Sequence, residues 1–236
     1  MQNESPRLHR ALRRLARIAS FCILHSALCI SLLPLSGCTL FSVLAGKVAP
    51  EPTVPAQYDR MQGQSVAVMV WADEGTMIDF PNVRLDVAGS LQKKLEQGRD
   101  AKARELKGVT FPTPPASVVR FQENHPELEG APVTDLARHV GATRVVYVEL
   151  DELQTRSDAS VELFRGSGSA TVRVVEVSPD GSAKIAYEET GISAVFPPTV
   201  GEEGTPNGND ARFYAGTVNE LTSAIAKRFV PHKQEQ

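Results

Sequence analysis

Residues 143–153 read Thr143-Arg-Val-Val-Tyr-Val-Glu-Leu-Asp-Glu-Leu153. Val146, Val148 and Leu150 alternate with Val145, Tyr147 and Glu149. Side chains alternate across a strand, so one face is wholly apolar. The other face is apolar only at its start and turns polar toward Asp151 and Glu152. This is a strand buried on both sides at one end and solvated at the other. What surrounds it sets the fold.

Upstream, Pro132 to Val140 is predicted as a short helix with Leu136 and Val140 inward and Gly141 as its stop. Downstream, Gly166 to Val177 is the next strand, strongest over Ala170 to Val175. Ser178-Pro179-Asp180-Gly181 is a tight turn, because Pro presets φ and Gly takes positive φ. Ala183 to Val195 returns as the partner strand, so the three form an antiparallel meander.

Toward the start, Ser65 to Ala72 (SVAVMVWA) is a nearly continuous apolar run, as in a strand covered on both faces. Glu74-Gly75 is read as its exit turn. Asn82 to Gln97 is a helix with Val83, Val87, Leu91 and Leu95 on one side. Arg99 to Leu106 prolongs it or loops, and Val109 to Phe111 is a short edge strand. Ala116 to Gln122 is a second short helix. Pro197 to Asp210 is a mobile Gly, Pro, Asn and Glu-rich loop. Asn209 or Asp210 caps a last helix, Ala211 to Phe229, whose apolar stripe is Tyr214, Val218, Leu221, Ile225 and Phe229. The expected fold class is α/β (α+β), a mixed sheet with a C-terminal three-strand antiparallel meander packed against helices. Residues 64–230 form that single domain, and 231–236 a polar tail.

The chain start has a different character. Arg7, Arg10, Arg13, Arg14 and Arg17 precede an apolar run, Ile18 to Leu35, that ends in Leu35-Ser36-Gly37-Cys38. Arginines stay on the cytoplasmic side and orient an inserting segment. Ser36 and Gly37 are small enough for an extended backbone to enter a peptidase cleft, and a thiolate is a strong nucleophile for a lipid donor. The pattern resembles the lipobox of bacterial lipoprotein precursors. The resemblance implies cleavage between Gly37 and Cys38, a diacylglycerol on the Cys38 thiol, and a domain held outside the cytoplasm. Residues 1–37 are then signal peptide, and 38–63 a lipidated Cys38 and extended tether punctuated by Pro50, Pro52 and Pro55. The alternative is an uncleaved anchor, although the run is short for a span and holds His25, Ser26, Ser31 and Pro34. Thr39 rather than Asp follows the cysteine. In a cell with two membranes this implies the inner leaflet of the outer membrane, facing the periplasm.

Net charge is −3, of which residues 1–37 contribute +4, leaving −7 for the remainder. An acidic domain is a poor nucleic-acid binder, and lipid rather than charge is expected to hold it at a membrane. Cys22 and Cys29 lie in the signal and Cys38 takes lipid, so the mature chain has no disulfide.

Leu136 to Leu153 (LARHVGATRVVYVELDEL), followed by Val172-Arg-Val-Val-Glu-Val177, resembles the amino-terminal domain of the TolB translocation protein. It is similar also to the curli secretion-channel lipoprotein. Those families often carry Gly-Ala-Asp before the strand; here it is Gly141-Ala142-Thr143. The likeness spans roughly residues 65–229 through short apolar motifs, and implies a fold more than a function. It implies a subunit of an envelope assembly that self-associates or docks to another envelope protein. No equivalent of the channel's membrane-inserting hairpins is found.

No catalytic residue, cofactor or metal site is assigned. His125, His139 and His232 match no metal-ligand spacing. Asp151 and Glu152 point to opposite faces, whereas Glu149 and Asp151 share one, a pair that a solvated strand end explains. Gly201, Gly204 and Gly208 precede a helix without a P-loop lysine. Gly166-Ser167-Gly168-Ser169 lacks the spacing of a nucleophile elbow, and Gly166-Ser167-Gly168, just after Arg165, reads as a bend or bulge at the strand entry. Trp71 and Tyr147 are read as core. The competing function is an exported, lipid-anchored hydrolase.

Overall fold

The computed structural model describes residues 53–128, 130–199 and 201–233. Residues 1–52, including Gly37 and Cys38, lie outside them. Strand β1 is Thr53–Val54 and β2 is Val66–Trp71. Helices follow at Glu74–Asp79 (α1), Val83–Asp100 (α2), Pro115–Asn124 (α3) and Val133–His139 (α4). Then come β3 (Arg144–Ser157), β4 (Ser160–Val177), β5 (Ala183–Phe196), α5 (Asp210–Ala226) and β6 (His232–Lys233).

The sheet order is β2-β3-β4-β5. β2 lies parallel to β3, from Val66 beside Arg144 to Trp71 beside Glu149. β3, β4 and β5 form the antiparallel meander, turned at Gly181 with φ 82°. The fold is therefore the expected α+β arrangement with a mixed sheet. α2 and α5 cover one face over Val68, Val148 and Val174; α3 and α4 cover the other over Met69, Val145 and Val175. That double cover is why β2 carries so few polar side chains. Val83, Val87, Leu91 and Leu95 of α2 are all buried, at the spacing of one helix face.

Several expectations are corrected. Glu74 and Gly75 do not form an exit turn but open α1, because Asp73 caps it: its Oδ1 accepts from the Thr76 N–H at 3.0 Å. The Val109–Phe111 strand reduces to one parallel bridge between Thr110 and Ser65. The end of the expected tether belongs to the domain. Tyr58 and Met61 are core residues, and Thr53–Val54 pairs antiparallel with His232–Lys233 of the expected polar tail. The Pro197–Asp210 loop, expected to be mobile, is tied down. Thr205 exchanges backbone hydrogen bonds with Phe164 at 2.7 and 2.9 Å, and Ser157 Oγ donates to the Glu202 carbonyl at 2.9 Å.

On α5 the buried face also takes in Phe213, Thr217 and Thr222, which the apolar pattern alone passes over. Both threonines return their hydroxyls to the carbonyl four residues back at 2.7 Å, so neither is buried unsatisfied. Asn209 caps the helix, accepting from the Arg212 N–H at 2.9 Å.

Candidate functional site

A cavity of about 540 Å³ opens where β2 ends beside the middle of β3. Trp71, the last residue of β2, and its register partner Glu149 within β3 form its floor with Tyr147. Phe121 and Gln122 of α3 and Leu136 of α4 supply its walls. Crevices at the carboxyl ends of parallel strands arise because the crossover chain leaves the sheet there. The volume is that of a small-molecule pocket.

The charges in the wall are paired off. Glu149 accepts from Arg173 at 2.5 Å, and Arg173 also donates to Glu188 at 2.7 Å. Arg84 stands 3.7 Å from Glu123. His125 Nδ1 lies 2.8 Å from Glu127. Burial pushes the Tyr147 hydroxyl up to about 12; Glu149 adds to the rise and Arg173 opposes it. Tyr147 therefore stays a neutral phenol near pH 7. No Ser, Thr, Cys or Lys lines the cavity among the described residues. Such a wall accommodates an aromatic or aliphatic group better than an ion.

Gln122 is the residue sequence reasoning passed over. Its amide donates to the Val70 carbonyl at 3.0 Å and so closes part of the outer margin of β2. Its own oxygen is buried without a partner. No signal in the sequence joins Gln122 to Val70, because the contact spans the crossover.

Solved structures with a related arrangement have been found. The PelC dodecamer from Paraburkholderia phytofirmans shares 12% identity over 75% of this chain and 96% of that one, with a TM-score of 0.39. The hypothetical protein CT253 from Chlamydia trachomatis shares 15% over 70% and 95%, at 0.41. Lipoprotein GNA1162 from Neisseria meningitidis shares 18% over 70% and 94%, at 0.37. All three TM-scores fall below one half, so these likenesses bear on neither the site nor its chemistry. No family model and no curated protein matches the chain.

The other residues singled out from the sequence scatter over the domain. Asp151, on an exposed stretch of β3, accepts from Thr171 at 3.3 Å, while Glu149 turns to Arg173. His139 is exposed, with Nδ1 2.9 Å from the Asp135 carbonyl and its ring stacked on Phe121. His232 sits in β6, paired with Val54 of β1 in a separate two-stranded sheet. Among the described residues no three His, Cys, Asp or Glu side chains are grouped to hold a metal.

Trp71 and Tyr147, expected as plain core, border the cavity. Tyr147 is buried and Trp71 half-buried. The β3–β4 register does slip opposite Arg165 and Gly166, as expected of a bulge. Those glycines have a further use: Gly166 and Gly168 let α5 lie directly on β4. Gly204, at φ 87°, and Gly208, against Phe164 and Phe213, likewise serve close packing.

A second cleft, about 410 Å³, lies between Phe80 and the end of β3. There Arg156 grips Asp210 with two hydrogen bonds, at 2.9 and 2.6 Å, and covers the Phe164 ring at 3.8 Å. This pair fastens the projecting β3–β4 hairpin to the start of α5, and its atoms are committed to each other.

Proposed function

We propose that this chain is a lipid-anchored subunit of a bacterial cell envelope that works by contact rather than catalysis. It self-associates or docks to another envelope protein, in an assembly for transport, secretion or maintenance. The observation that carries this reading is the Arg-led apolar run ending in Leu35-Ser36-Gly37-Cys38. Lipid on Cys38 confines the domain to a membrane surface and raises the effective concentration of any partner there, so a modest interface suffices. Thr39 directs it to the outer membrane. No helix among the described residues is long and apolar enough to cross a membrane.

The geometry bears on where contact is made. β5 is the uncovered edge of the sheet, a natural place for an added strand. Its ladder slips at Ala186 and again around Thr190–Gly191. Bulges of this kind twist an edge away from an incoming strand. The Trp71 cavity is a better receiver for an apolar side chain of a partner. The loop acids Glu202 and Glu203 favour a basic one.

The same cavity is the one observation that favours the second reading, an exported lipid-anchored hydrolase. Two measurements decide. A palmitate analogue should label the protein but not Cys38→Ser; equal labelling refutes the anchor. Crosslinking in the native membrane should yield a defined adduct that Leu136→Arg abolishes. A partnerless monomer whose purified form turns over an envelope substrate makes the hydrolase correct.

A further inference from the structure

The acidic net charge hides an uneven distribution. The starts of β2 and β3, the ends of β4 and α2, and the segment leading from β1 all meet at one end of the sheet. Backbone hydrogen bonds fix this: Gly63 N–H to the Lys107 carbonyl at 2.9 Å, Arg144 N–H to the Ser65 carbonyl at 2.9 Å. Glu176, the buried acid there, is ringed by Arg60 at 3.4 Å, Arg144 at 3.7 Å and Lys184 at 3.4 Å. Acids stand here too, Asp100 at the end of α2, the half-buried Glu105 and Asp180 between β4 and β5, but the opposite end gathers more of the exposed ones: Asp73, Glu74, Asp151, Glu152, Glu202 and Glu203.

The turn Ala101–Lys107 at the basic end has two features that its packing does not explain. Lys102, Arg104 and Lys107 are exposed, and their side chains have no ion-pair or hydrogen-bond partner among the described residues. Lys102 also holds φ 64°, the only non-glycine residue described with positive φ. This is the position after a helix where glycine is the unstrained choice. The turn is held in shape from beneath, by the wholly buried Leu106 and by the Ala103 N–H bonded to the Gly98 carbonyl at 3.0 Å. A cation kept where glycine fits better points to a use for its charge.

We propose that the Lys102–Lys107 turn docks on a membrane surface carrying anionic headgroups. The acidic end then faces away from the lipid. The turn hydrogen-bonds to Gly63, ten residues from the point where the chain comes in at Thr53. Each basic side chain near an anionic surface adds to binding, and the attraction is screened by salt. The proposal rests on the lipid-anchor reading.

The test uses the full protein, extracted with its anchor and reconstituted on vesicles of phosphatidylcholine, with or without phosphatidylglycerol. Lysine acetylation rates are read by mass spectrometry, with the exposed Lys93 of α2 as internal control. Lys102 and Lys107 should react several-fold more slowly on the phosphatidylglycerol vesicles, and high salt should restore their rates. Arg104→Glu should remove the protection without changing thermal stability. Equal rates on both vesicles overturn the proposal. So does protection on phosphatidylcholine that rises with protein density, which makes a second copy the occupant. Retention on phosphatidylcholine reports the anchor separately. Protein that washes off refutes the anchor, while rates with phosphatidylglycerol still decide the docking.

Discussion

A side chain on Gly166 would overlap the hydroxyl of Thr217. That hydroxyl is held in place by its 2.7 Å bond to the Phe213 carbonyl. Strand and helix therefore meet backbone to backbone, with the Phe196 and Phe213 carbonyls also within van der Waals reach of a Cβ at 3.2 and 3.3 Å. Gly166→Ala should lower stability by roughly 1–3 kcal/mol through overpacking. Denaturant melts of Gly166→Ala and Gly166→Ala/Thr217→Ala check it. The double variant should recover part of the loss but not all, because the carbonyls remain. Wild-type stability for the single variant would place α5 elsewhere.

The strained turn supplies a change of opposite sign. Lys102→Gly relieves a left-handed backbone conformation at a position without a buried side chain. It should stabilise the fold by up to about 1 kcal/mol, the relief being partly offset by the freedom glycine gains on unfolding. A rise in urea midpoint with unchanged slope is the expected result; a fall would remove the strain from the account.

Val148 has no exposed surface and faces α2 and α5. Val148→Asp should cost roughly 4 kcal/mol or more, since an unpaired carboxylate enters the core. Circular dichroism should find the variant unfolded or melting far below wild type. An unchanged melt would refute the burial of this face.

Acid should loosen the domain. Burial works against the charge on Glu176, but the Tyr58 hydroxyl, Arg144, Lys184 and Arg60 outweigh it and hold the carboxyl below its usual range. Hydrogen bonds from Arg156 do the same for Asp210. Carboxyls lowered in the fold add stability that is complete above their unfolded value, about 4. That stability is lost as pH falls through the folded value. The stability difference between wild type and Glu176→Gln should be full at neutral pH and shrink as pH falls below about 4. A difference that does not change with pH would mean Glu176 is not held charged by its neighbours.

The strands and helices were legible because their signals are local. Alternation from Thr143 to Leu153, the four-residue spacing of Val83 to Leu95, and Pro179–Gly181 each act within one element, and each marks the heart of an observed one, although β3 runs on to Ser157 and β4 starts at Ser160 rather than Gly166. What the residues could not announce depends on partners far along the chain. Tyr58 was read as tether, yet it enters the core because its hydroxyl finds Glu176 at 3.0 Å, 118 residues away. His232 and Lys233 were read as tail, yet they pair with Thr53 and Val54. The cavity exists because Trp71, Phe121 and Tyr147 come from three separate elements. The sequence by itself determined the long, periodic elements, β2 to β5 and helices α2 and α5, since periodicity is a property of neighbours; the short ones, α1 and the β1–β6 pair, it did not. Tertiary structure alone decided which of them touch, since those contacts are made only after the crossover brings distant residues together.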